Sequence, residues 1–139
     1  MADDTAALAK RFTEALHALD ADAGALDDMV ALFAEGATLE NAALDLNGET
    51  REGTDGAREF WSAYRDQFET AETEFHRVTV GDADGDGGRS AGLFWTTRGK
   101  APDGESLDYH GATLLVFDGE GKVERFRGYY DTRQLSVTA

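Results

Sequence analysis

The stretch from Asp28 to Trp61 constrains the fold most, because an amphipathic segment, a strand, a polar loop and a second helix follow one another within it. Asp27 or Asp28 can cap the first helix, and Gly36 suits the left-handed residue that ends it. The apolar residues between these signals fall on one helical face: Met29, Val30, Leu32 and Phe33.

The second half of this stretch predicts a strand, a surface loop and an aromatic helix. Thr38 to Ala42 forms the short strand, and Leu44 to Gly53 is rich in loop-forming residues with few apolar anchors. Thr54 or Asp55 then caps a helix with aromatic residues along one stripe. These residues are Phe60, Trp61, Tyr64 and Phe68.

The remaining periodicity adds one helix before this stretch and four strands after it. Apolar residues at helical spacing predict a first helix near Thr5 to Leu19. Alternating segments predict strands at 74–81, 89–98, 106–117 and 122–130, the last two joined by the turn Asp118 to Gly121. Three helices before a run of antiparallel strands predict an α+β fold, with a strongly curved sheet folded around the helices. The length of 139 residues and 41% apolar composition fit one domain spanning residues 1–139.

The net charge of −15 excludes several classes of function. Such a surface repels nucleic acid and anionic membranes, and no apolar run is long enough to span a bilayer. The acidic N-terminus lacks the features of a signal peptide, so we expect a cytoplasmic location. The acidic excess, with few lysines, indicates either a halophilic protein or an acidic protein from a GC-rich genome. There is no cysteine, and therefore no disulfide or thiolate chemistry.

An acidic segment from Asp82 to Gly87 resembles the opening of a calcium-binding loop. Such a loop needs a bidentate acid at its twelfth position, where this chain has Leu93, and its flanks are predicted strands rather than helices. A solvated hairpin loop is therefore the alternative that we favour. The three histidines have no tight spacing, so no metal site is indicated and no cofactor is expected.

Three separated segments carry a resemblance to a known superfamily: VALFAEGATLEN, GTDGAREFW and FDGEGKVERFRGYYD. Each is similar to the corresponding segment of the nuclear transport factor 2-like superfamily, and within it of the ketosteroid isomerases and SnoaL-like polyketide cyclases. The resemblance implies a cone-shaped, curved antiparallel or mixed β-sheet wrapped around three N-terminal helices, the cystatin-like α+β barrel. The scaffold hosts several chemistries, so function depends on the site residues.

The isomerase comparison fails at the residues that carry the chemistry. Ketosteroid isomerase needs an aspartate base and an oxyanion hole made by a tyrosine and a protonated aspartate. The matching positions here hold Phe12 for the phenol, Asn41 for the base and Thr113 for the second acid. Classical steroid isomerisation is therefore disfavoured.

The cyclase comparison retains one catalytic candidate. SnoaL-like cyclases end their last strand in an acid–base aspartate, and the spacing from Gly121 matches it to Asp131, although Arg127 replaces the family tryptophan. A turn cap at the end of the strand is the alternative role for Asp131. Strand alternation also leaves open whether Arg127 or its neighbour Gly128 faces the pocket.

The resulting expectation is a homodimer that binds a hydrophobic small molecule in its cone. Dimerisation is expected through the sheet, because both faces of the strand 106–117 are largely apolar. The reaction would be cofactor-free acid–base chemistry on a carbonyl compound, either cyclisation or isomerisation, with Asp131 as base. The alternative is a non-catalytic binding or interaction module. The candidate pocket residues are Phe12, Leu16, Asn41, Trp61, Tyr64, Trp95, Tyr109, Thr113 and Tyr130.

Overall fold

The computed structural model describes residues 2–82 and 89–131. Residues 83–87 of the acidic segment considered above as a calcium-binding or hairpin loop lie outside the described residues.

Four α-helices and a short 3-10 turn make up the helical part of the described chain. Their bounds are α1 Ala2–Ala21, the 3-10 turn Ala23–Ala25, α2 Leu26–Val30, α3 Ala42–Leu46 and α4 Gly53–Asp66. No helix within the described ranges is both long enough and apolar enough to cross a membrane.

Six strands form one mixed sheet. Their bounds are β1 Phe33–Asn41, β2 Arg51–Glu52, β3 Thr70–Asp82, β4 Arg89–Lys100, β5 Ser106–Phe117 and β6 Val123–Tyr130. The order across the sheet is β2-β1-β6-β5-β4-β3. β1 and β6 run parallel, and the other neighbours run antiparallel. The sheet is curved and unclosed, and it packs on the N-terminal helices, which confirms the predicted α+β class.

The main core lies between the helices and the concave face of the sheet. The apolar stripe of α1 is buried there as its periodicity predicts, and Leu39 of β1, Leu93 of β4 and Leu115 of β5 are fully buried opposite. α1 packs chiefly on β3, and α4 packs on β1. The buried stripe of α1 consists of Leu8, Phe12, Leu16 and Leu19.

The boundary between α2 and β1 was predicted wrongly. Helix α2 ends at Val30, and Phe33 already belongs to β1, where it pairs with Val123 of β6. Gly36 therefore lies inside a strand and not at a helix end. The parallel pairing of β1 with β6 shifts register between Phe33 and Thr38. Pairing with β6, which is distant in the sequence, stabilises an extended conformation at Phe33 that the local helical spacing does not reveal.

The segment 44–53 is not only a loop, as the sequence indicated. Asn41 ends β1 and caps α3, since its Oδ1 accepts a hydrogen bond from Leu44 N at 2.8 Å. Leu44 is buried, and β2 follows within the same segment. The next helix, α4, starts at Gly53, whose φ of 73° suits glycine, and Glu52 precedes it without a side-chain cap. Thr54 and Asp55 therefore lie inside the first turn and are not caps.

Candidate functional site

A cavity of about 510 Å³ opens between α1, α3, α4 and the concave face of the sheet. Its size lies within the range of small-molecule sites. Leu46 of α3 lines it and is 74% exposed, so the cavity meets solvent on this side. All nine residues nominated from the sequence as pocket residues line this one cavity: Phe12, Leu16, Asn41, Trp61, Tyr64, Trp95, Tyr109, Thr113 and Tyr130.

One aromatic group in the wall is centred on Trp61 of α4. Its ring meets Phe12 at 5.9 Å and Phe126 at 5.2 Å between centroids, with the planes steeply inclined. Phe60 and Tyr64, on the same helix, complete the group at 4.9 and 5.4 Å. Edge-to-face packing of this kind stabilises a rigid apolar wall.

A second aromatic group comes from the strands. Trp95 of β4, Tyr109 of β5 and Tyr130 of β6 lie within 6.5 Å of one another, centroid to centroid. Trp95 Nε1 donates a hydrogen bond to Thr113 Oγ1 at 2.9 Å, which fixes the indole against β5. The sequence comparison matched Thr113 to the second acid of ketosteroid isomerase, and this bond engages its hydroxyl.

A polar cluster lies in the wall beside these aromatic groups. The Tyr64 hydroxyl donates a hydrogen bond to Asp20 Oδ1 at 2.7 Å and lies 3.5 Å from Thr73 Oγ1. Thr73 Oγ1 in turn lies 2.9 Å from Thr97 Oγ1, and His17 Nε2 lies 2.9 Å from the Thr73 carbonyl oxygen. Tyr64, Thr73 and Thr97 line the cavity, whereas Asp20 lies behind them.

Burial dominates the electrostatics of this cluster. It raises the pKa of Asp20, and the hydroxyls of Tyr64 and Thr73 oppose the rise. Burial also raises the pKa of Tyr64 well above its ordinary value, and the nearby Asp20 adds to that rise. The pKa values of Tyr109 and Tyr130 are raised by burial too, so all three cavity phenols stay protonated at neutral pH.

The face of β6 that meets the cavity is now defined. Phe126, Gly128 and Tyr130 line it, whereas Arg127 lies on the opposite face, where it pairs with Glu40 at 3.2 Å and with Asp45. Of the two alternations left open by the sequence, the set that contains Gly128 and the aromatic residues therefore faces inward.

Asp131, nominated as the catalytic base, lies directly after β6. Its side chain is exposed, and it is not among the residues that line the cavity. Its catalytic role remains a prediction.

The sequence reasoning missed the carboxylate of this polar cluster. Asp20 follows Phe12 and Leu16 at four-residue intervals on α1, so it continues the buried stripe with a charged group. The structure buries it to 5% exposure. A carboxylate on an apolar helical stripe was the available signal, because such groups are rarely buried without a partner.

The chain belongs to the SnoaL-like domain family, whose model matches residues 9–126. No curated protein matches it. Among solved structures it is similar to a SnoaL-like protein from Jannaschia sp. CCS1, with 19% identity, a TM-score of 0.75 and coverage of 98% of this chain and 91% of the other.

Two further solved structures share the fold. The pinacolase BvnE from Penicillium brevicompactum is 15% identical, with a TM-score of 0.74 over 96% of this chain and 90% of the other. SalBIII, an epoxide hydrolase/cyclase-like enzyme of pyran ring formation in the polyether salinomycin, is 20% identical, with a TM-score of 0.73 over 96% and 97%. These similarities establish the nuclear transport factor 2-like fold that the sequence segments predicted.

Proposed function

We propose that this protein binds a neutral, hydrophobic carbonyl compound in its cavity and catalyses cofactor-free acid–base chemistry on it, either cyclisation or isomerisation. The observation that carries the proposal is one cavity whose walls combine two aromatic groups with hydrogen-bonded hydroxyls, one of which donates to a buried carboxyl behind the wall. The aromatic walls would hold the carbon skeleton, while the polar cluster supplies groups that exchange protons.

A neutral ligand fits the charges of the site. The protein carries a net charge of −15, which disfavours anions in solution around it. Arg51 lines the cavity, but its guanidinium already pairs with Glu49 at 3.2 Å and Glu59 at 3.1 Å. The protonated phenols of Tyr109 and Tyr130 can donate hydrogen bonds to a carbonyl oxygen, so a ketone suits this wall.

A non-catalytic ligand-binding module is the second candidate. It is favoured by the residues that replace the groups of ketosteroid isomerase: Phe12 has no hydroxyl, Asn41 Oδ1 caps α3, and Thr113 accepts from Trp95. Neither polar side chain at these positions can act as a base. Under this alternative the cavity binds its ligand and returns it unchanged.

Homodimerisation through the outer face of the sheet belongs to the same proposal. Phe94, Ala112 and Tyr129 are paired across β4, β5 and β6, and they form an apolar row on the face opposite the cavity. Phe94 is 44% and Tyr129 49% exposed, so this row presents contiguous aromatic surface of the kind that a second subunit can cover. Light scattering should give twice the chain mass of 15.0 kDa, and Phe94→Glu should shift it toward the monomer. A monomer for the unsubstituted protein at every salt concentration would contradict this part of the proposal.

Binding can be measured with the protein's own fluorescence, because both tryptophans, Trp61 and Trp95, line the cavity. We expect 1-tetralone, a neutral bicyclic ketone, to quench this fluorescence in a saturable manner. Benzoate, an anionic aromatic, should bind more weakly. Absence of saturable quenching by 1-tetralone and its 6-hydroxy derivative would contradict the proposal that the cavity takes this class of compound.

Catalysis can be measured without the physiological substrate. Deuterium exchange at the α-carbon of 1-tetralone in D₂O reports proton abstraction next to a carbonyl, and mass spectrometry follows it. We expect the protein to accelerate this exchange above the buffer rate. Saturable binding without acceleration would favour the non-catalytic binding module.

A further inference from the structure

The pair formed by Asp20 and Tyr64 can pass a proton between the cavity and a buried carboxyl group. Asp20 lies near the C-terminal end of α1, and its Oδ1 accepts the Tyr64 hydroxyl proton at 2.7 Å. Its other oxygen, Oδ2, is buried and makes no direct hydrogen bond within the described part of the chain. A buried carboxylate with an unsatisfied oxygen is costly, and protonation relieves that cost.

Tyr64 connects this carboxyl to the cavity. Its side chain lines the cavity, and its hydroxyl lies beside that of Thr73, which also lines it. Because the hydroxyl proton is directed at Asp20, the phenol oxygen keeps lone pairs free to accept a proton from another group. A neutral phenol is a weak base by itself. It becomes an effective one when its own proton can move to a neighbouring carboxylate in the same step.

We propose that Tyr64 is the catalytic acid–base group of the cavity and that Asp20 is its positioning partner and proton store, an inference that rests on the function proposed above. The bond between the substrate α-carbon and its hydrogen breaks, and that proton binds the Tyr64 oxygen while the original hydroxyl proton passes to Asp20 Oδ1. The electron pair of the broken bond moves onto the carbonyl oxygen and gives an enolate. A proton then returns from Tyr64 to carbon and the stored proton returns from Asp20 to Tyr64, which restores both groups. In D₂O the Tyr64 hydroxyl exchanges with solvent through the open side of the cavity before this return, so the α-carbon gains deuterium.

The surroundings of Asp20 predict how this relay depends on pH. The groups that face Asp20 are His17 on α1, Tyr64 and Arg65 on α4, Thr73 on β3 and Tyr109 on β5. Burial raises the pKa of Asp20 more than these neighbours lower it. Because the relay needs the carboxylate as its proton acceptor, exchange should accelerate with pH and level off above an inflection higher than 3.8, the ordinary value for aspartate.

The test compares three variants in the deuterium exchange of 1-tetralone. Tyr64→Phe removes only the hydroxyl, and Asp20→Asn keeps an acceptor for the Tyr64 hydroxyl but cannot take up the proton. Asp22→Asn is the matched control, because Asp22 is exposed and its cap to Gly24 N can be made by asparagine. Tryptophan fluorescence measures 1-tetralone binding for each variant, and circular dichroism verifies its fold.

We expect exchange to fall by a factor of about 10² to 10⁴ in Tyr64→Phe and in Asp20→Asn, with binding retained and Asp22→Asn unchanged. The pH inflection should disappear in Asp20→Asn. Unchanged exchange in either of the first two variants would overturn the relay and leave the proposed function standing with another base. Absence of exchange in the unsubstituted protein would overturn the proposed catalysis itself. If Asp20→Asn does not fold, Tyr64→Phe and the pH profile of the unsubstituted protein decide the question, and a profile without the inflection refutes the role of Asp20.

Discussion

Gly128 offers a way to shrink the cavity while the fold stays intact. It lies on β6, pairs with Thr113 and Asn41 on the neighbouring strands, and lines the cavity. A Cβ at this position would lie 3.5 Å from Asn41 Cβ and 3.7 Å from the ring of Phe126, which are ordinary van der Waals contacts. The backbone of Gly128 does not adopt a left-handed conformation, so alanine is compatible with it.

The expected gain in stability of Gly128→Ala follows from two terms. A buried methyl group contributes about 0.8 kcal/mol, and removing glycine's freedom from the unfolded chain contributes about 0.4 to 1 kcal/mol. Because the new methyl group partly faces the cavity, we expect a total near the lower end, about 1 kcal/mol. For a chain of this size that corresponds to a rise in Tm of roughly 3 to 5 °C.

A larger side chain at position 128 should also weaken ligand binding, because it occupies part of the cavity. Gly128→Val places two further methyl groups at the cavity wall, and overpacking against a bound ligand costs about 1 to 3 kcal/mol. At about 1.4 kcal/mol for each factor of ten, the Kd of 1-tetralone should rise by roughly 5-fold to 150-fold. Thermal melts and tryptophan fluorescence on the same samples measure both effects. A lower Tm for Gly128→Ala, or an unchanged Kd for Gly128→Val, would refute the argument that this glycine leaves room for the ligand.

Four other outcomes are expected. Gly111→Ala should destabilise the fold by about 1 to 3 kcal/mol, because its Cβ would collide with the Tyr129 carbonyl oxygen; an unchanged Tm would contradict this. The Tm should rise between 0.1 M and 1 M salt, as the Debye length falls from about 10 to about 3 Å, and a flat profile would remove the halophilic interpretation. Asp20→Asn should become more stable relative to the unsubstituted protein as pH rises from about 3 to 7. The raised pKa of Asp20 makes the unsubstituted protein lose folding stability above pH 3.8, and the asparagine variant does not have this loss. A difference in Tm that stays constant with pH would contradict this. Asp131→Asn should leave tetralone exchange intact and change stability by no more than about 1 kcal/mol, because the exposed side chain does not line the cavity; a loss of about 10² to 10⁴-fold would instead identify Asp131 as the base.

Periodicity in the sequence was sufficient to locate an element wherever that element buries one of its sides against the core. The stripe of α1 and the four strands after α4 were located within a few residues, since each buries one side against the core. The start of β1 was missed because Phe33 is extended through pairing with Val123, a partner far along the chain that leaves no local mark. Helix α3 was missed because it has only five residues and depends on the Asn41 cap.

The sequence identified residues that line the cavity but missed the buried carboxyl group of Asp20 behind them. Residues such as Trp61 and Tyr130 were nominated because the family resemblance places those segments around a pocket, and the structure brings them together. Asp20 occupies no position that the family comparison singled out. Only the packing of α1 against α4 and β3 places it beside Tyr64 and Thr73.

The polar groups of the cavity divide according to whether they are still available for chemistry. At the positions inherited from the isomerase pattern, Asn41 Oδ1 holds the start of α3 and the Thr113 hydroxyl holds Trp95. These hydrogen bonds hold the start of α3 and the Trp95 side chain in place in the cavity wall, and breaking either of them to bind a ligand would loosen that wall. Tyr64 differs, because its hydroxyl donates to Asp20 Oδ1 at 2.7 Å, while its distance of 3.5 Å to Thr73 Oγ1 is too long for a second strong hydrogen bond. A ligand hydroxyl or an acidic α-hydrogen could therefore approach Tyr64 without displacing a structural bond, so proton transfer in this cavity is expected on the side formed by α1, α4 and β3.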